Sequence, residues 1–361
     1  MKIILSSFVF LSIFLLTSFL FSQVTDKEKA KWKGEEGMKL LEKGLFVEGL
    51  QFLRAADELD PEAYEYRFGI AYANYFLMNY NKTEYLLLEI INHKNVDDKL
   101  YEILGNTYCM FGDYEKGYKT YEDGLKKFPN SGRLYLEKGV YMKNKDKYMQ
   151  ALDFFEKGIE LDPNFASNYF WAANIFLHSD LRVFGLLYGE LFMNLERNTE
   201  RTLMMSEMLY ETYVEEFEKE SNFEKMVTFG GKKLYTSDDP EENKRLYFKT
   251  EFDFIMNEAL IGIKDYDINT ISKIRTKFLT KYIEKGNDKK YNISLYEYQK
   301  RIKEAGHLEA YNHWILMKGD QQDFREWFSN NKNKFDLFDI WFRENKIMLD
   351  SASTFLSRNY R

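Results

Sequence analysis

Four histidines, one cysteine, a glycine-lysine run and several adjacent acids are the residues of this chain whose types could do chemistry. None of His93, His178, His307 and His313 forms an i, i+4 pair, the helical spacing that lets two imidazoles share a zinc ion. His307 and His313 lie six apart, which puts them on different helix faces. Cys109 follows a tyrosine inside a helical pattern, with no basic neighbour or partner histidine to lower its thiol pKa, so it reads as a packing residue. Gly230-Gly231-Lys232-Lys233 lacks the six-residue frame and the Ser or Thr of a phosphate loop, and no strand precedes it, so it reads as a helix irregularity. Adjacent acids such as Glu215-Glu216 read as solvated helix surface. No nucleophile elbow, dinucleotide fingerprint or calcium loop is present. The expectation is therefore no catalytic constellation, no metal site and no cofactor.

The elements that would position any site are helical. The 361 residues are 45% hydrophobic and 17% aromatic, enough for a large core, and only 4 prolines and 20 glycines are available for the many turns of a β-sandwich or barrel. Lys plus Arg is 51 and Asp plus Glu 58, giving a net charge of -7 with both signs interspersed. No basic stripe for phosphate neutralisation results, so nucleic acid is not expected as a partner.

A period of 34 residues organises the first half. Pro61, Pro129 and Pro163 are separated by 68 and 34 residues. Small residues keep the same phase: Gly37, Ala71, Gly105, Gly139 and Ala173 in one series, and Gly49, Thr83, Gly117, Ala151 and Gly185 in another. Glycine inside a helix is about 1 kcal/mol less favourable than alanine, so small residues in fixed phase imply helices whose backbones approach closely there. Proline then ends the second helix of each pair.

On these residues the chain resembles the tetratricopeptide repeat (TPR) family over about 30–199, in units 30–63, 64–97, 98–131, 132–165 and 166–199. Tyr135, Gly139, Ala151, Phe155 and Pro163 meet the family pattern in the fourth unit, and Tyr101, Leu104, Gly105, Tyr108, Gly117, Tyr121 and Pro129 in the third. Lys33 and Asn95 depart from it, and the fifth unit drifts after Ala173. The resemblance implies an all-α protein, a right-handed superhelical stack of helix-turn-helix hairpins followed by a helical C-terminal region. It also implies partner contacts on a concave face built by the first helices. Carried onto this sequence, that face holds Phe68, Tyr72, Tyr75, Phe76, Asn106, Met110, Val140, Lys143, Phe170 and Asn174. The Lys, Asn and Arg set with which chaperone-binding members grip a terminal carboxylate is replaced here by residues such as Phe68, Tyr72, Glu102 and Glu137. An extended or helical peptide held by apolar anchors fits better, with Tyr72, Tyr75 and Phe76 at its centre.

Beyond 199 the period weakens. A degenerate sixth unit is expected within 200–240, with Tyr210, Tyr213 and Phe217 on its first helix and Pro240 past its second. The turn-rich stretch from Thr236 to Glu242 marks the best boundary before a helical region, 241–361. Helices are expected over 293–305 and 307–317, another opens at Gly319-Asp320, and Phe335, Phe338, Trp341, Phe342 and Leu349 form one face of the last. Trp314, Trp327 and Trp341 read chiefly as core, with a glycan or peptide cleft as the competing reading.

At the N-terminus, Met1-Lys2, the apolar run Ile3 to Phe21 and Ser22 before a polar stretch read as a secretory signal over 1–22, cleaved after Ser22. A run of 19 residues is also just long enough to be retained as a membrane anchor. The expected protein is exported, periplasmic or secreted, and acts as a scaffold holding a protein or peptide of the cell envelope. The alternative is a glycan or small-ligand binder, or an enzyme, with its site in the C-terminal helices.

Overall fold

The computed structural model describes residues 25–219, 226–231, 240–350 and 354–361, with the backbone alone for 240–246. The expected signal segment and its cleavage point lie outside the described residues, among which no helix is long and apolar enough to cross a membrane. The described residues form helices and no strand. The chain divides into two compact units, one up to Phe128 and one from Pro129.

In the first unit three hairpins follow the 34-residue period: α1 (Asp26–Glu42) with α2 (Phe46–Asp57), α3 (Tyr64–Phe76) with α4 (Tyr80–Ile90), and α5 (Asp98–Met110) with α6 (Tyr114–Lys127). Each first helix packs on the next first helix, and each second helix on the first helix that follows. The second unit continues the pattern with α7 (Gly132–Lys143), α8 (Tyr148–Leu161), α9 (Ala166–Leu177) and α10 (Arg182–Leu195). Pro61, Pro129 and Pro163 follow the second helices of their hairpins, where a missing N–H removes no helical bond.

The small residues sit where backbones cross. A Cβ on Gly49 would lie 3.0 Å from the carbonyl oxygen of Gly37, and one on Gly117 2.8 Å from that of Gly105 and 2.6 Å from Cys109 Sγ. Cys109 is thus a packing atom over a glycine. Thr83 takes the same position in the second hairpin and turns its buried hydroxyl to the carbonyl of Ala71 at 3.3 Å. A Cβ on Gly105 would meet the Tyr121 ring at 2.2 Å, and one on Gly139 the Phe155 ring at 2.2 Å. These two positions vary together along the array as Gly37/Leu53, Ala71/Leu87, Gly105/Tyr121, Gly139/Phe155 and Ala173/Gly189: a ring on the second helix goes with glycine on the first.

The inter-helix turns use a left-handed residue at one fixed place. Gly44 and Gly112 adopt φ of 76° and 82°, but Met78 and Asp146 hold φ of 60° and 58° with a side chain attached.

After α10 the first-helix position is filled once more, by α11 (Glu200–Glu218), which Thr199 caps one period after the start of α9. It carries Tyr210, Tyr213 and Phe217, and Pro240 is the first residue of the next described helix, while the segment before it, 232–239, lies outside the described residues. The helices beyond are α12 (Pro240–Leu260), α13 (Ile268–Glu284), α14 (Asn287–Tyr291), α15 (Ser294–Glu304), α16 (Leu308–Leu316), α17 (Gln321–Asn330) and α18 (Lys332–Glu344). Leu349, expected on the face of the last helix, lies past its end, because α18 stops at Glu344.

One further sequence reading is corrected here. Gly230-Gly231 is no helix irregularity. Residues 226–231 run as an irregular segment tied to α12 by its side chains: Phe229 and Gly230 donate their N–H to Asp253 at 2.7 and 3.2 Å, and Asn257 exchanges bonds with both backbone groups of Val227. Burial pushes the Asp253 carboxyl up to about 7, against these two donors, which hold it down.

The C-terminal helices dock on the second helices of the hairpins in this unit. Glu190 of α10 and Arg275 of α13 form a buried ion pair at 2.6 Å, completed by Gln299, Tyr311 and Tyr213. Burial works against the Arg275 charge, but Glu190 and Tyr213 outweigh it and hold the guanidinium firmly protonated. The last residues fold over α8, where the fully buried Glu156 accepts from Tyr188 at 2.7 Å, Arg361 at 3.0 Å and the hydroxyl of Ser357.

Candidate protein-binding face

The first-helix face of the first unit is a run of rings set by α3. Tyr64, Phe68, Tyr72 and Phe76 repeat at i+4, one turn apart, so their side chains form a single row. Ring centroids along it are 5.8, 6.3 and 4.8 Å apart. Depth changes along the row. Tyr64 and Phe68 are buried, Tyr72 and Tyr75 half-buried, and Phe76 is 44% exposed. Phe68 is therefore corrected from a partner-contacting residue to a core residue, because it is enclosed between the Tyr64 and Tyr72 rings.

Phe76 is exposed and still packed against other rings. Its ring lies parallel to Phe46 of α2 at 4.6 Å, Tyr75 meets its edge at 5.4 Å, Tyr75 meets Tyr80 at 5.8 Å, and Tyr80 meets Phe111 at 6.3 Å. Met78, Met110 and Phe111 add exposed apolar surface on the turns at the same end of the hairpins. Asn106 is half-buried and accepts a bond from the Tyr121 hydroxyl, which fixes its carbonyl oxygen. Met110 is 53% exposed at the end of α5. Met78 and Phe111 lie outside the positions carried over from the repeat pattern, and no local pattern marks them as exposed.

In the second unit the expected residues separate. Val140, Lys143 and Asn174 are half-buried. The Lys143 ammonium sits 4.7 Å over the Trp171 ring, and the Asn174 carbonyl is held by His178 Nδ1 at 2.7 Å. Phe170 is buried at 6% exposure, against Phe192 at 5.1 Å and under the Arg201 guanidinium at 5.3 Å. It too is corrected to a core residue.

The chemistry-bearing residues stay apart. His313 stacks on Trp327 at 3.9 Å and bonds Asn269 at 3.0 Å, and burial lowers its pKa. His307 packs by Trp341 at 5.7 Å with its pKa lowered by the same cause. No group of three metal-ligating side chains occurs among the described residues. The interior cavity beside Glu190 and Arg275 holds about 20 Å³, too small for a substrate. A larger pocket of about 230 Å³ opens between Arg197 and the phenylalanines of α17 and α18.

No family model matches the sequence, and no curated protein does. Solved structures do. PilF of Pseudomonas aeruginosa is 19% identical over 54% of this chain and 89% of its own, with a TM-score of 0.44. MamA from Desulfovibrio magneticus RS-1 is 16% identical over 48% and 98%, with a TM-score of 0.36. YrrB, described as a TPR protein with an unusual peptide-binding site, is 16% identical over 48% and 89%, with a TM-score of 0.33. With helical hairpins recurring in a 34-residue period, three in the first unit and two in the second, each unit carries hairpins similar to those of tetratricopeptide repeats.

Proposed function

We propose that the chain is an exported, non-enzymatic scaffold that holds a peptide segment of another cell-envelope protein on the first-helix face of residues 64–111. The observation that carries this reading is Phe76, a ring 44% exposed yet stacked on Phe46 and edged by Tyr75. Apolar surface removed from water contributes about 25 cal/mol per Å², and a ring already fixed by its neighbours loses little further freedom when a partner covers it. Half-buried Tyr72 and Tyr75 and exposed Met110 and Phe111 extend the patch, and exposed Met78 adds an adaptable thioether. Export rests on the N-terminal pattern Met1-Lys2, Ile3 to Phe21, Ser22, and places the scaffold in the periplasm or outside the cell. A mature protein whose mass begins after Ser22 supports release, and one retaining Met1 supports a tethered form.

Affinity capture from envelope extract tests the face. Wild type is expected to retain at least one partner that a Tyr72→Ala, Phe76→Ala double variant of unchanged melting temperature loses. Equal recovery of every partner by both proteins contradicts the assignment.

A further inference from the structure

The pocket of about 230 Å³ in the second unit is lined by Trp314, Met317, Phe324, Phe328, Phe335, Phe338 and Phe342, with Arg197, Asn198, Asp339 and Arg343 as its polar residues. Its walls come from α16, α17 and α18, and its cation from the turn after α10. Arg197 is held from behind: Nε donates to the Asn194 carbonyl at 3.2 Å, Nη1 to the Phe342 carbonyl at 2.6 Å, and the guanidinium lies 3.4 Å over the Phe342 ring. Its Nη2 is enclosed, and the Tyr298 hydroxyl is the side-chain group that interacts with the guanidinium. Among the described residues no carboxylate lies within ion-pair distance of it, and the acid on the same pocket, Asp339, is taken by Arg343 through two bonds. Burial works against the Arg197 charge and lowers its pKa. A half-buried cation without a counter-ion, beside an apolar chamber, is an unfavourable arrangement that a bound anion relieves.

We propose that this pocket binds a small aromatic monocarboxylate, its ring among the phenylalanines and its carboxylate beside Arg197. The size argues for a fragment. Drug-sized ligands occupy about 300–1,000 Å³, so a chamber of 230 Å³ takes a single ring with a short acid chain. The lining argues against a sugar, since its hydrogen-bonding side chains are few, Asn198, the indole N–H of Trp314, Asp339 and the two arginines, and Asp339 and Arg343 are already paired. Aromatic walls supply edge and face contacts to a ring, and a guanidinium supplies the directed charge for a carboxylate. This site is independent of the first-helix face proposed for protein partners.

The test uses the full-length protein and 3-phenylpropionate, read by tryptophan fluorescence with Trp314 in the pocket wall and confirmed by calorimetry. Saturable binding is expected in the sub-millimolar range, at least tenfold weaker for 3-phenylpropanol, which keeps the ring and loses the charge, and absent for acetate, which keeps the charge and loses the ring. Arg197→Met, which keeps an apolar stem over Phe342, is expected to weaken 3-phenylpropionate at least tenfold while leaving the alcohol unchanged. Phe324→Trp, which fills the chamber without touching the arginine, is expected to abolish both. A peptide ending in phenylalanine with a free carboxylate, set against its amide, separates a polypeptide terminus from a free acid as the source: binding of the acid alone assigns a metabolite-sized ligand, and carboxylate-dependent binding of the peptide assigns a chain end. Equal affinity for acid and alcohol, or no binding of 3-phenylpropionate at 10 mM, overturns the proposal, and the acid-to-alcohol ratio in the wild type decides it even where a variant fails to fold.

Discussion

Gly139 and Phe155 carry the sharpest test of why this sequence makes hairpins. In Gly139→Ala the new Cβ would stand 2.2 Å from Phe155 Cε1 and 2.5 Å from Cδ1, where carbon contacts optimally lie at about 3.5–4.0 Å. Phe155 is fully buried, so its ring has no free space to enter. The helix gains about 1 kcal/mol from replacing glycine by alanine. Overpacking of this kind costs about 1–3 kcal/mol, and an overlap above 1 Å belongs at the upper end. The net expectation is a loss of about 1–2 kcal/mol, the reverse of what an unhindered helical glycine would give. Phe155→Leu alone leaves a void and is expected to lose about 1–2 kcal/mol, less than the 3–5 of a change to alanine. The double variant recreates the Ala71/Leu87 combination of the second hairpin, so its loss should fall short of the sum by at least about 1 kcal/mol. Urea unfolding followed by tryptophan fluorescence reads the right part of the chain, because four of the 5 tryptophans, Trp171, Trp314, Trp327 and Trp341, lie in the unit from Pro129. A stabilised Gly139→Ala variant, or losses that add to within about 0.5 kcal/mol, would refute the close seating of the Phe155 ring on the first helix as the reason for glycine at 139.

Three further outcomes follow from particular residues. Met78 holds a side chain at φ 60° where Gly44 and Gly112 stand in neighbouring hairpins, and it is 74% exposed, so Met78→Gly is expected to stabilise the first unit by about 0.5–1 kcal/mol in urea melts followed by circular dichroism; destabilisation would show that Met78 packs. Glu190→Gln leaves Arg275 buried without its counter-ion and is expected to cost about 3–5 kcal/mol, whereas Glu190→Leu with Arg275→Met should recover much of it; equal losses from single and double variants would contradict that. The Asp253 carboxyl titrates at about 7 in the native state against 3.8 ordinarily, through burial and the nearby Glu216, so the folded chain binds the extra proton between these values. Its contribution is complete at low pH and is lost as pH rises through about 7. Asp253→Asn should therefore flatten the fall in melting temperature between pH 5 and 8, by the equivalent of about 2–4 kcal/mol, and an unchanged slope would be the opposing result.

The hairpins were legible because their signal is local and repeated: glycine, alanine and proline fall at fixed intervals, and the physical demand they answer, close helix crossing followed by a stop, recurs in every unit. Depth on the proposed face was not. The i+4 spacing puts Phe68 and Phe76 on one stripe, but whether a ring on that stripe is covered depends on the neighbouring hairpin and, for Phe170, on Arg201 from a helix thirty residues further on. The segment around Gly230-Gly231 was misread for a similar reason, since its backbone partners are side chains of Asp253 and Asn257, and nothing in the local pattern marks them as such. In the C-terminal helices the apolar periodicity located α15, α16 and the start of α17 closely, and correctly assigned Trp327 to the core. It could not show that the phenylalanines of α17 and α18 leave a chamber, because part of its wall, Arg197 and Asn198, arrives from more than a hundred residues earlier.

Photo-crosslinking in the native envelope tests the proposed face most directly. A benzoyl-phenylalanine placed at Phe76 probes the stacked first-helix cluster, and one at Tyr85, 54% exposed on the second helix of the same hairpin, probes the other side. Covalent capture of a discrete protein from position 76 and none from position 85 is the expected result. Capture from 85 with none from 76 would contradict the assignment of the binding face.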